Sequence, residues 1–189
     1  MGDESTKTSP AGLLRRLAAL FYDFLLSVAL AFAVSFAMLP LTRGQAFLPS
    51  AQGLVGHVYH AVWPLAVFAY FGWCWTRSGQ TLGLKAWRMR LETGAGGRLG
   101  WSAAAGRYLL GVALFWLACV GAWYLWHTDH VIAAMGAAAL VAPVVLNFAW
   151  IIFDREGRSL MDLATGTRVV VTRQAGPAER YQGRNSSST

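Results

Sequence analysis

Long apolar runs almost free of charge constrain this chain more than any other feature. Leu17 to Leu39 contains one charged residue, Asp23, and the runs Val58 to Trp75, Tyr108 to Trp126 and Val131 to Phe153 contain no Asp, Glu, Lys or Arg. A helix needs roughly 20 mostly apolar residues to cross ~30 Å of hydrocarbon, and all four runs are of that order. A buried helix of a soluble domain would be shorter or would carry a polar stripe. Composition points the same way: of 189 residues, 56% are hydrophobic and only 13% charged, with a mean hydropathy of +0.41. A disordered chain, a collagen-like fibre and a disulfide-stapled secreted domain are excluded. The expected fold class is an all-α integral membrane protein, a four-helix transmembrane bundle with a short cytoplasmic strand pair.

Charge placement orients the bundle. Lys7, Arg15 and Arg16 precede the first run. Six basic residues lie between the second and third, and six more follow the fourth. Arg43 is the lone basic residue of the other two loops, so the division is fifteen against one. Basic loops stay on the cytoplasmic side, which predicts four spans with both termini inside. The expected location is the cell inner membrane. The net charge of +7 is then expected to face anionic lipids at the cytoplasmic surface rather than nucleic acid. The first run is too long for a signal-peptide core and contains Asp23, so it is expected to be retained. Residues 1–10 and 173–189 are polar and are expected to be disordered tails around a transmembrane domain at 11–172.

Small residues are the usual seams between membrane helices. Ala29, Ala33 and Ala37 are expected to form one such ridge, and Ala133, Gly136, Ala137 and Ala138 another. Cys74 and Cys119 sit at different depths and are read as packing residues rather than a disulfide. On the cytoplasmic side, residues 86–93 alternate Trp87, Met89 and Leu91 with Arg88, Arg90 and Glu92, a strand period. Residues 167–172, with Val169, Val170 and Val171, are also strand-like. The two strands are expected to pair and lay an apolar face on the bilayer boundary; an interfacial helix is the alternative for the first.

Three signatures occur in order along this topology. Arg16 and Asp23 open the first run, Gly79-Gln80-Thr81-Leu82-Gly83 begins the central loop, and Leu160-Met161-Asp162-Leu163-Ala164-Thr165-Gly166 follows the last run. Together they resemble the RDD family of small multi-pass membrane proteins, named for one arginine and two aspartates. On this resemblance the arginine is Arg16 and the aspartates are Asp23 and Asp162. Two positions depart from the family pattern. Leu84 follows Gly83 where a basic residue is common, with Lys85 one place later, and Met161 stands where His often precedes the aspartate. The resemblance implies a membrane protein with a suggested transport-related role and no defined substrate.

A charge well inside a membrane helix costs roughly 2.5–3.5 kcal/mol or more, so Asp23 requires protein or water beside it. It lies two turns from Arg16 on the same helical face, and at the same expected depth as Asn147 of the fourth run. One reading is a proton- or cation-binding carboxylate. The other is a structural clasp to Asn147 or Arg107. Asp162, alone among Arg155, Arg158 and Arg168, is expected to tether the tail to Arg88 or Arg90. His57, His60, His127 and His130 lie at the outer ends of the runs. Imidazole suits Zn, Cu or Ni, but without a tight ligand spacing they are expected to be polar caps rather than a metal site. No cofactor is expected, and no Ser–His–Asp set, CxxC pair, Walker loop or HExxH supports an enzyme. Two functions remain open: a small transporter or transporter subunit, with oligomerisation completing a solute path, and a non-transporting interaction or assembly factor that works through its basic cytoplasmic loop and tail.

Overall fold

The computed structural model describes residues 9–42, 49–127 and 130–172. The expected tails beyond residues 9 and 172, together with Arg43 and Asp129, lie outside the described residues. Four long helices dominate: α1 (Leu13–Met38), α2 (Pro49–Arg77), α4 (Trp101–His127) and α5 (Val131–Phe153). Two short helices, α3 (Leu82–Ala86) and α6 (Leu160–Thr165), follow α2 and α5. Three strands complete the chain: β1 (Ser9–Pro10), β2 (Met89–Thr93) and β3 (Thr167–Val171).

Among the described residues, three helices are long and apolar enough to cross a membrane: Leu13–Met38, Trp101–His127 and Ala134–Phe153. Their side chains are largely exposed, Phe36 at 68% and Phe153 at 78% among them. Apolar surface this continuous is untenable in water and suits hydrocarbon, so the chain is a membrane protein. α4 packs chiefly on α5, and α2 touches both α4 and α1. Gly121 lets α4 and α5 approach closely: a Cβ there would lie 2.7 Å from a Val141 methyl and 3.0 Å from the Ala137 carbonyl oxygen. Of the small-residue ridge expected on α5, Ala137 is buried and Gly136 and Ala138 are exposed, while the Ala133 side chain lies outside the described ones. The ridge expected on α1 is not a seam within the chain, because Ala29, Ala33 and Ala37 are all exposed. α1 is held instead by its first three turns, where Arg16, Ala19 and Asp23 are buried on one face. Tyr108 of α4 fastens the middle of α2, its hydroxyl donating to the Pro64 carbonyl at 2.8 Å.

The strands form one antiparallel sheet in the order β1-β3-β2. Met89 pairs with Val171, Leu91 with Val169 and Thr93 with Thr167. This is the pairing expected from the alternation in residues 86–93, and it excludes the interfacial helix at Met89–Thr93. The apolar face, however, does not rest on the bilayer. Met89, Leu91 and Val169 pack with Ala11, Ala19 and Leu99, and Trp75 and Leu84 close around them. The reason is geometric: with α3 and α6 folded under the bundle, the helix ends themselves offer the nearest apolar surface. Ser9 and Pro10, expected within the N-terminal tail, add the third strand and carry Ala11 into this core.

Candidate functional site

The residues just before and within α6 carry their own start and stop. Ser159 caps the helix, its hydroxyl accepting the Asp162 N–H at 3.1 Å, while the Asp162 carboxylate accepts the Ser159 N–H at 3.0 Å. This reciprocal box satisfies two backbone donors that a helix start leaves unpaired. Gly166 ends the helix in the left-handed conformation, at φ 63°, which costs glycine no Cβ clash. The local fold therefore places Asp162 under the bundle, fully buried.

Two arginines from different helices converge there. Arg16 of α1 donates to one carboxylate oxygen at 2.5 Å, and Arg107 of α4 to the other at 2.6 Å. Arg107 also donates to the Thr167 hydroxyl at 2.7 Å. Arg16 goes on to the carbonyls of Ala11 at 3.1 Å and Gly157 at 2.6 Å, so its planar fork ties the residue after β1 and the turn before α6 to α1. Burial alone would push the Asp162 carboxyl up; Arg107 and Arg16 outweigh it and hold the group below its ordinary value. Asp162 is thus an anion anchored by two cations rather than the expected tether to Arg88 or Arg90. Arg90 is exposed on β2, separated from Asp162 by the sheet's buried face, and the Arg88 carbonyl accepts the Thr172 N–H. Arg168 lies nearest Glu92, at 3.7 Å, and Arg158 bridges Asp154 at 3.2 Å.

Asp23 makes the second clasp with quite different partners. The Thr81 hydroxyl donates to one of its oxygens at 2.5 Å and the Gly83 N–H to the other at 2.9 Å. Thr81 is the N-cap of α3 and also accepts the Leu84 N–H, at 3.2 Å. Asp23 therefore caps a short helix from outside it, where the helix dipole favours negative charge. Gly83 is required by closeness: a Cβ would collide with the Ala19 carbonyl oxygen and lie 2.8 Å from the Asp23 carboxyl carbon. Gly79 turns the chain at φ 70°, and its carbonyl accepts the Leu91 N–H at 2.8 Å. Lys85 is exposed in the last turn of α3, away from the carboxylate.

The expected clasp of Asp23 to Asn147 or Arg107 is not formed. Asn147 faces α6, where its side-chain oxygen accepts the Met161 N–H at 2.8 Å. Equal depth in the bundle did not mean a shared face. Met161 thus contributes through its backbone at the position where the family often has His. Among the described residues, the four buried polar side chains of the long helices, Arg16, Asp23, Arg107 and Asn147, each reach into the segments of α3, α6 or the sheet.

The histidines stay apart from this site. His57, His60 and His130 are exposed, and the His127 ring stacks on Trp123 with centroids 4.7 Å apart. Among the described residues no three His, Cys, Asp or Glu side chains gather as a metal cage. Cys74 and Cys119 are free thiols. The capping box Ser159-x-x-Asp162 is a helix-start signal legible in the sequence; the choice of Arg107 as partner has no local signal at all.

Chemically, the arrangement is a lock. Both oxygens of each carboxylate accept hydrogen bonds from protein donors, and those donors belong to segments closing one end of the bundle. No curated protein and no solved structure matches the chain. The model of the RDD family matches residues 10–166, an interval that contains Arg16, Asp23, the Gly79–Gly83 motif and Asp162. The chain belongs to the RDD family.

Proposed function

We propose that this is a non-catalytic interaction or assembly factor of the cell inner membrane. In this reading it crosses four times, both termini and the sheet lie in the cytoplasm, and the basic platform faces anionic lipids and a partner. The observation that carries the reading is the state of Asp23, whose two oxygens are engaged by Thr81 and Gly83 of a docked helix. A coupling carboxylate for a proton or cation needs a water-facing position, whereas this one closes a structural contact. The fifteen-to-one division of basic residues supports the orientation.

Two experiments test it. Reporter fusions at Ser50 and Asp129 should read outside, and fusions at Gly96 and Gly183 inside; an exposed Gly96 fusion would overturn the four-span reading. Purified protein in proteoliposomes should show no cation flux above protein-free vesicles. A measurable flux that a well-folded Asp23→Asn variant lacks would instead make Asp23 an ion site and the chain a transporter.

A further inference from the structure

A groove of about 650 Å³ runs along α4, lined by Ser102, Ala103, Gly106, Leu109 and Ala113, with Thr165 of α6 at one end. We propose that it holds an acyl chain of one anionic phospholipid of the cytoplasmic leaflet, with the phosphate at a basic mouth formed by Arg98 and Arg168. The sidedness rests on the reading above.

Shape selects the occupant. Ser102 to Ala113 covers ~17 Å of helix, so the groove averages roughly 40 Å² in cross-section. A helix about 10–12 Å across needs about twice that, which disfavours a second copy of the chain. A flexible hydrocarbon chain fits. The floor is open: a Cβ added at Gly106 meets nothing within 4 Å. Glycine inside a helix is unfavourable unless something approaches its backbone, and nothing among the described residues does so here.

Charge selects the headgroup. Beyond Thr165, the Gly166 carbonyl accepts the Gly94 N–H at 2.9 Å, which brings the turn after β2 to this end of the groove. Arg168 reaches the same turn, its Nη2 lying 3.4 Å from where a Cβ on Gly96 would stand. Arg98 leaves the turn exposed, just before α4 begins. The Arg168 side chain is 32% exposed, and its Nη2 stands 3.7 Å from Glu92, too far for a hydrogen bond. A phosphate beside Arg98 and the exposed part of Arg168 offers both guanidiniums the paired acceptor oxygens that arginine favours.

The test is native mass spectrometry of the full purified chain in detergent, with phosphatidylglycerol and phosphatidylcholine of matched acyl chains as probes. The wild type should retain one phosphatidylglycerol with at least a tenfold preference. Gly106→Leu and Ala113→Phe, which fill the groove from a half-buried position with open space for a Cβ and from an exposed one, should each lower retention at least tenfold with an unchanged melting temperature. Arg98→Gln should reduce the preference severalfold while leaving chain binding intact. Equal retention of both lipids by the wild type, undiminished retention in both groove variants, or a full preference in Arg98→Gln would overturn the assignment. So would a wild-type dimer that Gly106→Leu dissociates without lipid loss. Binding in detergent depends on neither sidedness nor flux, so a failure here and a failure of the topology or flux experiments are separately visible.

Discussion

Asp162 and Asp23 are both buried carboxylates beside the start of a short helix, yet they are neutralised in opposite ways. Asp162 belongs to the helix it caps and is held by two arginines from α1 and α4. Asp23 sits on a long helix and reaches outward to a hydroxyl and a backbone N–H, with no ion pair to a cation among the described residues. The first clasp is an ionic knot that ties elements far apart in sequence. The second is a fitted contact whose tolerance is set by the missing Cβ of Gly83. The knot should therefore respond to charge and the fitted contact to volume.

The largest effect is expected at the knot. Asp162→Asn leaves Arg16 and Arg107 buried against an amide, and breaking a buried pair of this kind costs about 3–5 kcal/mol. Protein level and thermal midpoint should fall sharply; a loss no greater than that of Asp23→Asn would erase the distinction between the clasps. Acid should act through the same group. Because Asp162 is held below the ordinary aspartate value of 3.8, its contribution is fully present above that value. It is lost as pH falls below 3.8 through the lowered value, so a pH series should show acid destabilisation that Asp162→Asn lacks.

At the fitted contact the effects are intermediate. Gly83→Ala drives a methyl into the Ala19 carbonyl and should cost about 1–3 kcal/mol by overpacking, although no charge changes. Asp23→Leu should cost a comparable ~1–3 kcal/mol by leaving the Thr81 hydroxyl and Gly83 N–H unpaired. Asp23→Asn, which keeps an acceptor for Gly83, should lose less than Leu in the same thermal assay. An Asn variant as damaged as Leu would mean that charge governs this clasp too. The smallest effect belongs to Ser159→Ala, about 1 kcal/mol for a lost N-cap, since Asn147 still holds the neighbouring N–H.

What the sequence disclosed and what it withheld divide along a physical line. Apolar runs locate α1, α4 and α5 because hydrocarbon demands length and composition, both of which are local. The β2–β3 pairing was legible because period-two alternation in Met89 to Glu92 has one geometric meaning. The shared face of Arg16 and Asp23 followed from helical phase, and both are buried on it. Partners were another matter. A polar residue in an apolar run announces that something must satisfy it, but helical phase does not say which neighbour will. Asn147 and Asp23 share a depth and face different segments. Arg107 opens an apolar run at one remove, and only the folded α6 shows that it belongs to Asp162.

The knot also imposes an order on biosynthesis. Arg16 and Asp162 are separated by 146 positions, so the first arginine leaves the ribosome long before its counter-ion exists. At about 5–20 residues per second that interval is roughly 7–30 s, during which α1 waits without its ionic partner. The last strand is made later still, and Val169 completes the apolar cluster beneath Met89 and Leu91. Closure of the bundle's end therefore waits until α6 and β3 have been made, and any chain released before Asp162 carries two unmatched arginines. Such a product should be a ready substrate for membrane proteolysis, which makes the ionic knot a check that translation has passed α6.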